Sequence, residues 1–144
     1  MSTEENQSLV RHYVDQFVNR GNMAVADEIL SPDYRRYISP STPPLTAEQQ
    51  KQRIAGMRAA FPDLHVSVED MITEGDRVAF RGVVRGTQQG AFLGLAPTGK
   101  QVTVFAFDVI RIEQGKLIEH WGGPDLFSIL LELGAVVSAS SEKR

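Results

Sequence analysis

The chain has no cysteine, which excludes disulfides, thiolate nucleophiles and cysteine-ligated metals at the outset. Clusters of basic residues are missing as well. Fifteen Lys and Arg stand against 18 Asp and Glu, a formal net charge of −3, so nucleic acid is not expected as a partner. No apolar run approaches the roughly 18 residues of a membrane-spanning helix. The acidic start lacks the basic-then-apolar pattern of a secretion signal, so no membrane partner is expected and a cytoplasmic location is the default. Of three histidines, His12 and His65 are not spaced with His120 to ligate a metal, and no metal is expected. Gly86, Gly90 and Gly94 lack the strand-turn-helix context of a dinucleotide site, and there is no Gly-x-Ser-x-Gly elbow. No cofactor is expected.

What remains is an ordinary soluble composition, 42% hydrophobic and 23% charged over 144 residues. A chain this long buries about 68–70% of its unfolded surface in one core, which suggests a single domain over residues 1–137. Residues 138–144 are small and polar, and a flexible tail is expected there.

Leu9, Val10, Tyr13, Val14, Phe17 and Val18 recur with the period of an amphipathic helix that Gly21 stops. A short second helix carries Met23 to Leu30 and ends at Ser31-Pro32-Asp33, and residues 34–38 read as a brief extended piece. The proline-rich loop 39–44 suits a lid or rim. Thr46 and Gln49 have capping-box spacing and open a third helix, with Ile54, Met57, Arg58 and Phe61 on one side and Pro62 at its end.

Strand patterns follow at 65–73, 77–88, 101–112 and 117–121. Phe80, Gly82, Val84, Gly86 and Gln88 share one face of the second of these, with Arg81 and Arg85 on the other. Gly115 supplies the positive φ of a tight hairpin, and residues 125–133 have the spacing of a closing helix. Helices first and strands afterwards predict an α+β fold: three N-terminal helices on a strongly curved antiparallel sheet, a cone around an apolar cavity.

The residues Phe61-Pro62-Asp63-Leu64, Gly86-Thr87-x-x-Gly90, Pro97-Thr98-Gly99-Lys100, Ile112-x-x-Gly115-Lys116 and Glu119-His120-Trp121, with the ending Asp125 … Leu133-Gly134, occur in the order seen in SnoaL-like polyketide cyclases. The chain resembles that family over nearly its whole length. The resemblance implies the nuclear transport factor 2-like cone and cofactor-free acid/base chemistry on aromatic polyketides, an aldol-type ring closure. It also marks departures. The family's acid/base aspartate falls on Gly122, its supporting histidine on Asp108, and a loop histidine of many relatives on Gln88.

The inward-facing set expected for the cavity is Asp108, His120, Gln88 and Asp125 beside Gly122, framed by Phe17, Met57, Phe61, Phe80 and Phe105. Asp108 sits among Val104 to Ile110, where an unpaired carboxylate costs several kcal/mol. It is read either as a general base or as a structural carboxylate paired with an arginine or a backbone group. His120 is read as a carbonyl-polarising or proton-trading group, or as a hydrogen-bonded wall residue. Asp125 can equally be a helix N-cap. Trp121 and Glu119 alternate away from His120 and are expected on the outside. Phe105, Phe107, Val109 and Trp121 would leave an apolar strip there, which predicts a homodimer or a higher oligomer.

Three functions fit: a cyclase-type enzyme, a cofactor-independent hydroxylase-like relative favoured by the change at Gly122, and a non-catalytic module that binds an apolar or aromatic small molecule.

Overall fold

A computed structural model describes residues 2–136; the tail expected at 138–144 lies outside them. In chain order the elements are α1 (Thr3–His12), a π-helical continuation (Tyr13–Val18), α2 (Met23–Ile29), β1 (Leu30–Tyr37), α3 (Ala47–Ala60), β2 (His65–Glu74), β3 (Arg77–Thr87), β4 (Gln101–Glu113), β5 (Lys116–Pro124) and α4 (Leu126–Glu132). The strands form one curved sheet in the order β1-β5-β4-β3-β2. This is the expected α+β architecture with one correction: β2 to β5 pair antiparallel, but β1 runs parallel to β5. Hairpin turns force antiparallel neighbours, and β1 is joined to β5 by no hairpin, so nothing local fixes its direction.

The local chemistry explains the element ends. Ser2 and Glu5 form a capping box on α1. Thr46 and Gln49 form the predicted one on α3, with Gln49 N–H donating to Thr46 Oγ1 at 3.2 Å and Thr46 N–H to Gln49 Oε1 at 2.9 Å. The first helix does not continue as a regular α-helix. Its last turns widen into a π-segment that brings Tyr13, Val14, Phe17 and Val18 all into the interior. The second helix stops at Ile29, and Leu30, Ser31 and Pro32 already belong to β1. Pro32 is tolerated because β1 is an edge strand. Gln114 and Gly115 (φ +53° and +74°) make a two-residue hairpin between β4 and β5.

The core lies between the helices and one face of the sheet. On β4, Val102, Val104, Ala106, Asp108, Ile110 and Ile112 are buried while Thr103, Phe105, Phe107 and Val109 are exposed. A one-residue slip would turn the buried Val102, Val104, Ala106, Ile110 and Ile112 outward and bring Phe105, Phe107 and Val109 in, so apolar character alone does not choose between the faces; packing of the inner row against the helices sets the phase. It puts Asp108 inside. It also corrects Phe105, expected at the cavity but half exposed on the outer face, with Ala106 inside in its place.

Candidate active site

The ladder between β4 and β5 places Ile110 opposite His120 and Asp108 opposite Gly122. Asp108 and His120 are therefore diagonal neighbours on the inner face, within side-chain reach. His120 Nε2 lies 2.7 Å from Asp108 Oδ1. The parallel pairing of β1 with β5 sets Arg36 beside His120, and Tyr34, two residues earlier on the same face, brings its hydroxyl to 3.0 Å from His120 Nδ1.

One tautomer satisfies this arrangement: Nε2–H donates to the Asp108 carboxylate, and Nδ1 accepts from the Tyr34 hydroxyl. The imidazole is neutral. Burial, and then the Arg36 charge, pull its pKa down to about 4 against the opposing pull of Asp108. The contact to Asp108 is accordingly a hydrogen bond rather than an ion pair.

Arg36 is almost fully buried. Its Nη1 lies 3.1 Å from both ring nitrogens of His120. A nitrogen equidistant from both cannot lie in the ring plane without striking the carbon between them, so the guanidinium rests on the imidazole face. Nη2 donates to the Gly122 carbonyl at 2.6 Å and lies 3.5 Å from Asp108 Oδ1. The loop 39–44 returns onto this strand through two backbone hydrogen bonds between Arg36 and Leu45, at 2.8 and 2.9 Å, which pin the arginine's backbone.

The polar cluster forms part of a small chamber of about 50 Å³, walled by Val14, Ile54, Met57, Phe80, Val84 and Ala106 with Tyr13 and Arg53. A water needs about 10–15 Å³ of such space, so the chamber admits one end of a small molecule and not a fused ring system. Arg53 and Met57 also line an outer groove of about 290 Å³ formed with Ile38, Phe92, Leu93 and Leu126. Chamber and groove meet at those two side chains.

Asp108 has the geometry of a proton acceptor. Oδ1 is held by His120 and Arg36, while Oδ2 has no hydrogen-bond partner among the described residues and is not among the sealed, unsatisfied atoms. Tyr13 adds a hydroxyl to the chamber. It accepts from Gln50 Nε2 at 2.9 Å, and burial raises its pKa so that it stays protonated.

Of the residues expected at the cavity, Asp108, His120, Met57 and Phe80 are there. Phe17 is fully buried in the core beside Tyr13 and does not reach the chamber. Phe61 packs edge-on against Phe92 and over Gly86, filling the space that the glycine's missing side chain leaves. Gln88 is buried for a structural reason. Its amide donates to the carbonyls of Gly90, Leu95 and Ala96 and accepts from Thr98 N–H and Oγ1–H, knotting the loop 88–100. Asp125 caps α4 through Ser128 and is exposed. Gly122 breaks the alternation. At φ +93° it turns away from the chamber and contributes only its carbonyl, to Arg36.

Tyr13, Tyr34, Arg36 and Arg53 were not singled out in the sequence. The available signal was Tyr34 and Arg36 at strand spacing, with Ile38 next on the same face: a basic residue in an otherwise apolar row. Among the described residues no group of three His, Asp or Glu side chains is placed to hold a metal ion, and no helix is long and apolar enough to cross a membrane.

Three solved structures resemble the chain closely. AclR of Streptomyces galilaeus, a candidate hydroxylase, is 31% identical over 94% of this chain and 100% of its own, with a TM-score of 0.84. TsrD of Streptomyces laurentii is 28% identical over 94% and 99%, also at 0.84. A candidate SnoaL-like polyketide cyclase from Jannaschia sp. CCS1 is 27% identical over 95% and 98%, again at 0.84. No curated protein matches the chain. The family model for SnoaL-like polyketide cyclases matches residues 8–133, nearly all of the described fold, and the chain belongs to that family.

Proposed function

We propose that the protein is a cofactor-independent enzyme that abstracts a proton α to a carbonyl of a small, carbonyl-rich substrate, the first step of an aldol-type ring closure. The observation that carries this reading is the asymmetry of the Asp108 carboxylate. One oxygen is tied to His120 and Arg36, the other has no hydrogen-bond partner among the described residues, and the residue lines an apolar chamber. In this reading Asp108 is the base. His120 and Arg36 are positioning residues that fix its orientation, and the Tyr13 hydroxyl donates to the oxygen on which enolate charge develops. The reaction needs no group that migrates in or out except the proton.

The test is deuterium exchange at the α-carbon of 1,3-dicarbonyl and aromatic polyketide substrates, followed by NMR. Asp108→Asn keeps the shape and should slow exchange by roughly 10²–10⁴-fold. An Asn variant with unchanged exchange would remove Asp108 from catalysis and leave it as an arginine-paired structural carboxylate.

A hydroxylase-like activity is the second reading, supported by the 31% identity to AclR and by the glycine at position 122. Product mass separates the two: ring closure leaves the atoms of the substrate in place or removes water, whereas hydroxylation adds an oxygen atom and consumes an oxidant.

The proposal extends to a homodimer through the outer sheet face. Ile72, Phe105 and Phe107 are 72, 50 and 59% exposed there, with Val109 beside them, a contiguous apolar row that a second copy would cover. Trp121 is less available, because Tyr37 stacks on it and Arg77 lies over the ring. Light scattering at micromolar concentration should give twice the chain mass; a monomer would end this part of the proposal.

A further inference from the structure

Arg53 is a charge that the Asp108–His120–Arg36 cluster leaves unused. It stands one helical turn before Met57 on α3, and the two side chains line both the chamber and the outer groove. Among the described residues its guanidinium makes no hydrogen bond and no ion pair. Burial, and then repulsion from Arg36, pull its pKa below the ordinary value, as expected of a cation short of partners.

Among the described residues the surroundings supply no second anion: Asp108 is the one acidic side chain lining either the chamber or the groove. His120 is neutral at pH 7, since its pKa is about 4. Among the described residues two guanidinium groups therefore face a single carboxylate, and the charge left over is that of the half-buried Arg53.

A second, independent feature is the approach of the two arginines to one point. A side chain at Gly123 would begin 2.7 Å from Arg36 Nη2, too close to be accommodated, and 3.8 Å from Arg53 Nη2, so this glycine lets both guanidinium groups gather at the same stretch of backbone. The φ of +145° at Gly123 is a conformation that side-chain-bearing residues rarely adopt.

We propose that the substrate of this cavity is an anion whose carboxylate is held by Arg53, with its apolar body in the groove of Ile38, Met57, Phe92, Leu93 and Leu126. A carboxylate fits where larger anions do not: the excess charge is single, the chamber is small, and a guanidinium binds a carboxylate through two parallel hydrogen bonds. This names the substrate class for the acid/base site proposed above and rests on that reading: a free acid, rather than an ester or a neutral ketone, presented to Asp108.

The test uses matched probes that differ only in charge, 2-naphthoate against 2-naphthamide and hexanoate against hexanamide, titrated calorimetrically into the full-length protein at pH 7.5 and low salt. In the wild-type protein the acids should bind about tenfold or more tightly than the amides. Arg53→Met should abolish the difference. Arg53→Gln gives the same readout should the Met variant fail to fold. Arg53→Lys should keep a reduced preference for the acids. Asp108→Asn should keep or strengthen it, because a nearby negative charge is removed. The acid preference is thus read separately from proton abstraction, so either idea can fail alone. Equal binding of acid and amide, an acid preference that survives Arg53→Met, or no acid bound below millimolar concentration would overturn the proposal.

Discussion

Gly122 lies directly opposite Asp108 in the ladder between β4 and β5, and a Cβ on it would stand 2.0 Å from the carbonyl oxygen of Phe107. The strand is bent there so that the Gly122 carbonyl, not a side chain, meets Arg36. Where the family resemblance places an acid/base aspartate, this chain has a backbone acceptor that helps hold an arginine on His120.

Restoring the aspartate should therefore fail. Gly122→Asp combines a left-handed φ with a collision against backbone, and it should destabilise the fold by about 2 kcal/mol or more without creating a new base. Urea unfolding should show a clearly lower midpoint. A variant with wild-type stability would mean that the strand can re-register around residue 122, and that the site is more adaptable than its geometry implies.

His120 gives a signature in the pH dependence of stability. Its folded-state pKa of about 4 lies below the ordinary value of 6.5, so the unfolded chain takes up the proton first as the pH falls. Stability from this group is fully present above pH 6.5 and declines as the pH drops towards 4, a loss of about 3 kcal/mol. His120→Gln keeps a donor for Asp108 but does not titrate, and it should flatten the slope between pH 6.5 and 5. An unchanged slope would locate the pH sensitivity elsewhere.

Arg36 should be costly to remove. Arg36→Met takes a buried cation away from Asp108, the His120 ring and the Gly122 carbonyl, and the uncompensated carboxylate left behind makes about 3–5 kcal/mol the expected loss. The imidazole, freed of its cationic neighbour but still bonded to Asp108, should titrate at higher pH than in the parent. NMR titration of the His120 ring would show this directly, and a pKa that stayed put or fell would contradict the stacked arrangement.

Gln88 separates structure from chemistry. Gln88→Ala strips five hydrogen bonds from the loop 88–100 and leaves buried backbone groups unsatisfied, at about 1–3 kcal/mol for such a group. The melting temperature should fall while the ratio of acid to amide binding stays the same. A changed ratio with unchanged stability would return Gln88 to the ligand site.

Much of this was written in local sequence. Alternation along 101–112 sorted Asp108 into one row with Val104, Ala106 and Ile110 and put Phe105, Phe107 and Val109 in the other, but both rows are apolar, and only packing against the helices chose the first as the inner face. Thr46 and Gln49 announced the start of α3, and Gly115 announced the hairpin, because capping and positive φ are properties of two to four consecutive residues. The position of His120 followed from the same short-range alternation. The tertiary structure decided the rest. Arg35 and Arg36 are adjacent and chemically identical, and only the parallel pairing of β1 with β5 turns Arg36 onto His120. Helical periodicity put Tyr13 on the buried face but could not place it at the chamber, and among the described residues Arg53 is left unpartnered because the one acid lining that chamber, Asp108, is held by His120 and Arg36. Gly122 leaves the inner face through a kink that alternation cannot foresee. Side-chain periodicity is set within a strand or helix, but the partner of a buried charge is chosen by contacts between elements distant in sequence, and the electrostatics of this site depend on those contacts.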